Sequence, residues 1–390
     1  MSIDQCCVKK TDMINASNVK RVEDIINICL RNKLPFFAYR LPNSNEIIIG
    51  VQKDLSLMNF KDFTNLKGQQ GFVFVPFNSN DKHPSWLIRQ DIAFSSKHIK
   101  EEAIRDLKRC KNELEIEDND AYFESSESEY YHQLSEILKA LKEDNLQKAI
   151  LSRIQLEKNE KEVQNSSLFF QLCQQYPKAF VSYVSLPGIC SWMGASPELL
   201  LKSANNITET VALAGTLPIL DSNLSDIDWG NKEIEEQAFV SDYIEAVFKS
   251  NSIDGFERKG PFTVQAGQIA HLKTEFKIER KLSFKDKAKM INALHPTPAV
   301  CGLPKQKALE LINAVETHDR EYYAGYWGPL QVNGDFDFYV NLRTMKITEN
   351  QLSLFVGGGI TADSIPKKEW EETQHKAQTL LSVIKASKLS

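Results

Sequence analysis

Three glutamates at helical spacings are the first residues in this sequence whose pattern could do chemistry. Glu369 and Glu372 lie three positions apart in a segment with helical apolar periodicity, so both side chains leave the same side of that helix. Glu236 falls on the apolar stripe of a second such segment. A buried carboxylate needs a partner, and carboxylates from two helices suit Mg²⁺, a hard cation that prefers oxygen ligands. The alternatives are a solvated helix with an ion pair from Glu372 to Lys376 and a rim position for Glu236.

Two further ionisable residues stand at the ends of apolar runs that favour β-strands. Lys148 opens the run KAILSRIQL, and Glu198 directly precedes the apolar residues 199–201. A lysine at such a point is ordinarily an exposed edge residue, and a glutamate there is ordinarily a strand-end carboxylate. The proline-rich segment 295–304 predicts either a stiff loop that shapes a pocket or a plain junction between a loop and a helix. His271 taken alone fits a structural histidine.

The elements that must position these residues predict an α+β fold. Strand-like runs cover residues 36–39, 46–51, 148–156, 179–186, 198–202, 208–214, 336–345 and 351–355. Helical periodicity covers residues 129–142, 231–248, 305–315 and 364–385, the last with Ser364 as its cap and Pro366 in its first turn. The acidic, serine-rich segment 111–130 predicts a solvated loop that leads into a helix. Strands do not alternate one for one with helices, so large, mostly antiparallel sheets are favoured over a Rossmann-type arrangement.

Composition narrows the possible partners. The 390 residues carry 47 Lys and Arg against 52 Asp and Glu, and the net charge of −5 argues against nucleic acid or an anionic membrane as the main partner. No run is apolar and long enough to span a membrane, and the N-terminus lacks the apolar segment of a secretory signal, so we expect a cytoplasmic protein. Seven cysteines at irregular spacing favour reduced thiols. The sequence has no HExxH, GxSxG or P-loop motif, which leaves the usual hydrolase and kinase functions unsupported.

Together and in this order, the segments resemble the chorismate-utilising enzymes, which include isochorismate, salicylate, anthranilate and aminodeoxychorismate synthases. The resemblance runs from Lys148 to Lys376 and is fainter before residue 120. It implies the family fold, a single α+β domain over residues 1–390 with two large, mostly antiparallel sheets packed between helices. Residues 1–120 would form a divergent N-terminal part and residues 121–390 the catalytic region. The matching blocks are KAILSR, GASPELLL, ETVALAGTLP, KEIEEQAFV, HPTPAVCGLPKQKALELI, DREYYAGYWG, NLRTM, LFVGGGI and EWEETQHKA.

One position separates the members of this family by their nucleophile. The anthranilate and aminodeoxychorismate synthases use ammonia and carry Gln where this chain has Lys148, whereas isochorismate synthases use water, which needs a base. The resemblance therefore implies an isochorismate synthase. Ala214 stands where aminodeoxychorismate synthases have a lysine, which excludes a covalent lysine adduct there. Salicylate synthase shares the lysine and is the alternative, although segment 295–302 resembles that of isochorismate synthases.

Roles for individual residues follow from the resemblance. Lys148 is the expected base and Glu198 the expected acid in a reaction that adds water at C2 of chorismate and expels the C4 hydroxyl. An ion pair between them would hold each in the wrong protonation state, so we predict that they lie on different sides of the ring and do not touch. Glu236, Glu372 and, through water, Glu369 are the implied Mg²⁺ ligands. The implied substrate-binding residues are Arg343, Tyr323, Lys376, Gly358, His271, Thr216, Ala299 and Val300.

The resemblance leaves several alternatives open. The product would feed either menaquinone or siderophore synthesis, and we expect a monomer, with a weak dimer as the alternative. An anthranilate synthase large subunit and a catalytically silent chorismate-binding protein are further alternatives, and the complete set of acidic and basic residues argues against the silent protein. One departure concerns the helix that carries Glu236: many relatives have Arg-His-Glu-His where this chain reads Ile-Glu-Glu-Gln at 234–237.

Overall fold

The chain folds into eight α-helices and 18 β-strands within the residues that the computed structural model describes, 16–114, 122–143, 146–160, 165–219, 224, 227–266 and 269–388. The helices are α1 (Ala16–Arg31), α2 (Glu101–Arg109), α3 (Glu127–Glu143), α4 (Asn165–Gln175), α5 (Asn231–Ser250), α6 (Phe284–Leu294), α7 (Lys305–Val315) and α8 (Pro366–Ser387). The strands are β1 (Phe36–Arg40), β2 (Ile47–Val51), β3 (Met58–Phe60), β4 (Gly71–Val75), β5 (Ser85–Ile88), β6 (Ile92–Ser95), β7 (Lys148–Lys158), β8 (Phe180–Leu186), β9 (Cys190–Ser196), β10 (Leu199–Ala204), β11 (Ile207–Pro218), β12 (Glu257–Ala266), β13 (Ile269–Ile278), β14 (Gly302–Leu303), β15 (Tyr326–Leu330), β16 (Phe336–Val340), β17 (Thr344–Ile347) and β18 (Gln351–Ile360).

Two nine-stranded sheets organise these strands. The first has the order β14-β7-β18-β17-β9-β8-β1-β2-β6, and the second has the order β12-β13-β11-β10-β16-β15-β4-β5-β3. The paired neighbours run antiparallel, for example β7 with β18 and β10 with β16. The predicted α+β class with two large antiparallel sheets is therefore confirmed. Strands from the first hundred residues enter both sheets, and the single-domain organisation stays a prediction.

Alternating side chains along the strands divide the core in two. On β1, Phe37 and Tyr39 belong to a cluster that includes Phe72 and Phe338 of the second sheet. Phe36 belongs to a second cluster, formed with apolar side chains of α1, α4 and α8. Full burial of one such large side chain contributes about 1.5–3 kcal/mol. The first sheet is thus covered by the second sheet on one face and by helices on the other.

The elements that carry the candidate site pack closely on one another. β7 and β18 pair along their whole lengths, from Gln351 opposite Lys158 to Ile360 opposite Ala149. β17 pairs with β18 only as far as Phe355, so the glycine-rich end of β18 continues past it. Helix α8 packs against β18 and α5 packs against β11.

Most predicted elements are confirmed, with two local errors. The segment 336–345, predicted as one strand, is two strands, because Arg343 has a φ of 51°, in the left-handed region that a strand does not contain. Ser364 does not cap α8: the N-cap is Ile365, and the Ser364 hydroxyl accepts a hydrogen bond from the Thr361 N–H at 3.1 Å. Pro366 lies in the first turn of α8 as predicted.

Some expectations lie partly outside the described residues. The expected lack of a secretory signal falls mainly on residues 1–15, and the predicted acidic loop includes residues 115–121, neither of which is described. None of the helices described has the length and apolarity needed to cross a membrane. Cys29, Cys110, Cys173 and Cys301 are free thiols.

Candidate active site

One cavity between the two sheets brings the predicted site residues together. Its walls include Glu198, Thr216, Glu236, His271, Ala299, Val300, Tyr323, Arg343, Gly358 and Lys376. The other three predicted residues lie directly behind these walls. The Lys148 ammonium bonds to Glu236, and carboxylate oxygens of Glu369 and Glu372 each lie 3.6 Å from where a Cβ on Gly358 would stand.

Lys148 is buried at the start of β7 and pairs with Glu236 of α5. Its side chain is 1% exposed, and Nζ donates to Glu236 Oε1 at 2.5 Å. Burial works to raise the pKa of Glu236, but the Lys148 ammonium outweighs it and holds that pKa below its ordinary value. Among the residues described, no ion pair joins Lys148 to Glu198. The burial of Lys148 excludes the alternative of an exposed strand-edge lysine.

Glu198 is a buried acid at the entrance to β10. Its backbone N–H donates to Ser196 Oγ at 3.3 Å, and the Thr297 hydroxyl donates to Glu198 Oε1 at 3.4 Å. Burial raises the pKa of Glu198 to about 7, against the opposing positive charges of Lys148 and Lys376. Near neutral pH a large fraction of this carboxyl group is therefore protonated and able to donate a proton.

Glu369 and Glu372 lie in the first turns of α8, and each is paired with a lysine. Lys232 Nζ of α5 donates to Glu369 Oε1 at 2.9 Å, and Lys376 Nζ lies 2.7 Å from Glu372 Oε1. Glu369 Oε2 is buried and has no hydrogen-bond partner. Burial and the neighbouring Glu372 raise the pKa of Glu369. Each of these two acids therefore pairs with a lysine. Within the described ranges, no group of three or more His, Cys, Asp or Glu side chains is arranged to hold a metal ion.

Hydrogen-bond donors line the side of the cavity formed by β18. Arg343 Nη1 donates to Thr379 Oγ1 at 3.0 Å, and Lys376 Nζ donates to the Gly357 carbonyl at 2.9 Å. The Tyr323 ring stacks on Phe355, with 5.6 Å between ring centroids. Burial raises the pKa of Tyr323 to about 12, so its hydroxyl stays protonated and can donate. Two side-chain cations and a phenol thus face one space, which suits an anionic ligand.

His271 of β13 is a neutral residue in the wall of the cavity. Its Nδ1 lies 3.0 Å from the Gly215 carbonyl oxygen and 3.1 Å from Thr216 Oγ1. Because a carbonyl only accepts, Nδ1 carries the proton and Nε2 is an acceptor. Nε2 is buried and has no protein partner, and burial, together with Arg343 and Lys376, lowers the pKa of His271 to about 3. This histidine can accept a hydrogen bond from a ligand hydroxyl.

The cavity combines a buried acid, a buried lysine and donors for an anion, and the sequence around it matches a known family. Residues 67–385 match the family described as Chorismate binding enzyme, which is more than half of the chain. The chain belongs to that family. The predicted resemblance to chorismate-utilising enzymes is thus confirmed.

Similar chorismate binding enzymes include proteins named as isochorismate synthases. Isochorismate synthase EntC of Escherichia coli K12 is 31% identical over 243 residues, which are 60% of this chain and 62% of that protein, so the match spans less than two thirds of the relative. The fold is similar to the crystal structure of DhbC from Bacillus anthracis, with TM-score 0.74, 23% identity and 94% and 99% of the two chains covered. MenF, the menaquinone-specific isochorismate synthase from E. coli, has TM-score 0.72, 20% identity and 90% and 88% coverage.

This chorismate binding enzyme also has contacts at its site that the sequence did not disclose. Thr297 lies in the predicted proline-rich loop, but its bond to Glu198 became visible only in the fold. Lys232 lies four residues before Glu236, a helical spacing that places both side chains on one face of α5. That spacing could have identified Lys232 from the sequence as a neighbour of the site. Arg320 donates to the carbonyls of Ile150 and Val300 at 2.8 Å each, and so ties β7 to the cavity loop.

Gly359 leaves space for the Lys148–Glu236 pair of this chorismate binding enzyme, and Gly359→Ala should disturb it. An added Cβ would lie 2.7 Å from Glu236 Oε1 and 2.8 Å from Lys148 Cε, closer than a Cβ approaches another heavy atom unless one of them moves. We expect turnover to fall by about tenfold to 100-fold, since misplacement of reacting groups by an ångström has effects of that size. Steady-state kinetics would measure it.

Gly358→Ala is the matched control for folding. Its added methyl group would meet nothing closer than 3.6 Å, so the melting temperature should match that of the wild type. Unchanged kinetics in Gly359→Ala would contradict the view that this glycine maintains the ion pair.

Proposed function

We propose that this chorismate binding enzyme is a Mg²⁺-dependent isochorismate synthase, whose product feeds menaquinone or siderophore synthesis. It would add water at C2 of chorismate, shift the double bonds and expel the C4 hydroxyl. The observation that carries the proposal is a buried lysine, Lys148, behind a cavity that also holds a separate buried acid, Glu198. Relatives named as isochorismate synthases support the same assignment.

The proton balance gives each of these two residues one transfer. Lys148 in its neutral form accepts a proton from water as the water oxygen bonds to C2. Glu198 in its protonated form gives a proton to the C4 oxygen as that carbon–oxygen bond breaks, so the leaving group departs as water. One water is consumed and one is released, so product and substrate have equal mass. The two residues then exchange protons with solvent before the next turnover.

The pair with Glu236 sets a condition on the role of Lys148. Lys148 Nζ donates a hydrogen bond to Glu236 Oε1 at 2.5 Å, so the nitrogen is directed at this carboxylate. Lys148 must therefore part from Glu236 before it can act as a base. Glu198 needs no such change, because burial raises its pKa to about 7 in the structure as it stands.

The carboxylates beside the cavity fit Mg²⁺ by their chemistry. Glu236, Glu369 and Glu372 would hold the ion through oxygen atoms, the ligands that it prefers. The buried, unpartnered Oε2 of Glu369 is an acceptor that a cation would satisfy. When bound, Mg²⁺ would neutralise a substrate carboxylate and draw electron density from the ring as the double bonds move.

Other residues of the cavity bind and orient the substrate in this proposal. Arg343 can donate two parallel hydrogen bonds to a carboxylate, and Tyr323 can add a third. The backbone at Gly358 lies beyond the end of β17, where its polar groups can reach a ligand. His271 Nε2 would accept a hydrogen bond from a ring hydroxyl. Thr216, Ala299 and Val300 complete the walls around the ring.

Product analysis with chorismate and Mg²⁺ tests the proposal. We expect chromatography with mass detection to show a new species of unchanged mass. Release of pyruvate with salicylate would instead indicate a salicylate synthase, and turnover that requires ammonia would indicate an anthranilate synthase. Binding of chorismate without any product would indicate a silent binding protein. Each of the last three results contradicts the proposal.

Glu236→Ala should weaken the dependence on Mg²⁺. The variant lacks one proposed ligand, so we expect the Mg²⁺ concentration for half-maximal turnover to rise by about tenfold or more. Glu245→Ala on the same helix is the control, since that residue pairs with Arg258 and does not line the cavity. An unchanged Mg²⁺ requirement in Glu236→Ala would remove this residue from the metal site.

A further inference from the structure

The lysines beside the three proposed metal ligands differ in how easily each can leave its partner. The Lys148 side chain is 1% exposed, that of Lys376 17% and that of Lys232 36%. Lys376 is also held by the Gly357 carbonyl, and Lys148 is fixed at the start of β7, which lies between β14 and β18. Lys232 is therefore the ammonium whose transfer to water costs least. The pairs are Glu236 with Lys148, Glu372 with Lys376 and Glu369 with Lys232.

Lys232 is the cation that pairs with the Glu369 carboxylate, and the Ser364 hydroxyl also favours the charged form of that carboxylate. Glu369 is 1% exposed, and one of its oxygens, Oε1, lies 2.9 Å from Lys232 Nζ. The other oxygen, Oε2, is buried without a hydrogen-bond partner. A buried carboxylate with one cation and one open oxygen would be destabilised if that cation left and nothing replaced it. Lys232 thus supplies the positive charge that a metal ion bound to this carboxylate would supply.

We propose that Lys232 is a built-in competitor for Mg²⁺, which neutralises Glu369 in the metal-free protein and moves into solvent when the ion binds. This inference rests on the proposed Mg²⁺-dependent function and deepens it, because it assigns control of metal affinity to a residue that is not a ligand. Two cations on one carboxylate repel each other, so the lysine lowers the affinity for the ion. In the metal-free protein the same lysine neutralises the Glu369 carboxylate and so stabilises the folded site.

Lys232→Met tests this role, because methionine has a similar length and no charge. In calorimetric titrations with MgCl₂ and no substrate, we expect a Kd about threefold to tenfold lower than that of the wild type, a range that allows for the partial exposure of the lysine. In EDTA the melting temperature of Lys232→Met should lie below that of the wild type, since Glu369 has lost its cation. Added Mg²⁺ should raise that melting temperature by more than it raises the wild type. Neither readout depends on turnover.

Two controls separate the competitor role from a general effect of charge. Lys232→Arg keeps a cation and should bind Mg²⁺ as the wild type does. Lys368→Met removes an exposed lysine next to Glu369 in the sequence and should leave the Kd nearly unchanged.

The outcomes also separate this inference from the proposed function. Equal tightening in Lys232→Met and Lys368→Met, or no tightening in Lys232→Met, would overturn the competitor role while Mg²⁺ binding by the wild type upholds the proposed metal site. A wild type that binds no Mg²⁺ and whose turnover survives EDTA would overturn both.

Discussion

Glu198→Gln should abolish most turnover and, at the same time, stabilise the protein above neutral pH. Glutamine has almost the same shape as glutamate but carries no proton to give to the C4 oxygen. We expect kcat to fall by about 100-fold to 10,000-fold, the usual contribution of a general acid. The product assay with chorismate and Mg²⁺ would measure this loss.

The gain in stability follows from the pKa of Glu198, which burial raises from an ordinary 4.5 to about 7 in the folded protein. Below about pH 4.5 the carboxyl group is protonated in both the folded and the unfolded chain, so it does not affect their balance. Between these two pKa values the unfolded chain releases the proton first, and the folded state loses stability as the pH rises. Above about pH 7 the loss is complete, at about 3 kcal/mol. Glutamine does not ionise and escapes this loss.

Chemical denaturation at two pH values checks the sign. The free energy of unfolding of Glu198→Gln should exceed that of the wild type at pH 8 and should be nearly equal to it at pH 4.5. Glu245→Gln is the control, because Glu245 is paired with Arg258 at the surface of α5 and should show no such gain. An equal gain at both pH values would point to packing rather than to proton linkage and would sink the assignment of a raised pKa.

Local patterns were sufficient to predict the fold class and about half of the helices and strands. The helix Lys305–Val315 begins and ends where its periodicity and the preceding proline predict. The strand pair at 36–39 and 46–51 forms because both runs are apolar on both faces and are joined by a turn rich in Pro and Asn. The α+β class followed from strands that are not separated by helices one for one.

Other elements were missed because their pattern is weak. β12 and β13 carry charged residues at many positions, including Glu257, Lys259 and Glu275, and they pair at the edge of the second sheet. β12 is largely exposed and resembles a loop in sequence, whereas in β13 charged residues alternate with buried apolar ones such as Leu272 and Phe276. The break after β16 is set by the left-handed backbone at Arg343, which the strand-like composition of residues 336–340 does not reveal.

The candidate site was predicted by residue type, but its pairings depend on the fold. Lys148 is buried because β7 lies between β14 and β18, a position that the strand's own sequence does not contain. Lys232 and Glu369 are distant in sequence and meet only where α5 approaches α8. The metal, acid and base roles stay predictions.

Lys148→Ala should reduce turnover by about 1,000-fold or more, because the other nitrogen-bearing side chains that line the cavity, Arg343, Lys376 and His271, are poor replacements for it as a base. Arg343 stays charged at every working pH. Lys376 is held by Glu372 and by the Gly357 carbonyl. His271 is neutral, but a group with a pKa lowered to about 3 is a poor proton acceptor. Product formation from chorismate at saturating Mg²⁺ would measure the loss, and full activity would remove the base hypothesis.

Lys346→Ala is the matched control, since it separates loss of a base from loss of a buried ion pair. Lys346 lies on β17 of the same sheet, its side chain is 4% exposed, and Nζ lies 3.0 Å from Glu321 Oε1. Lys148→Ala removes the partner of Glu236, and Lys346→Ala removes the partner of Glu321. Both variants should therefore lower the melting temperature. Only Lys148→Ala should lose turnover when both are assayed well below their melting temperatures. Lys148→Ala should also bind Mg²⁺ at least as tightly as the wild type, because Glu236 no longer shares its charge with an ammonium. A loss of catalysis with metal binding intact would assign Lys148 to the chemistry rather than to the metal site.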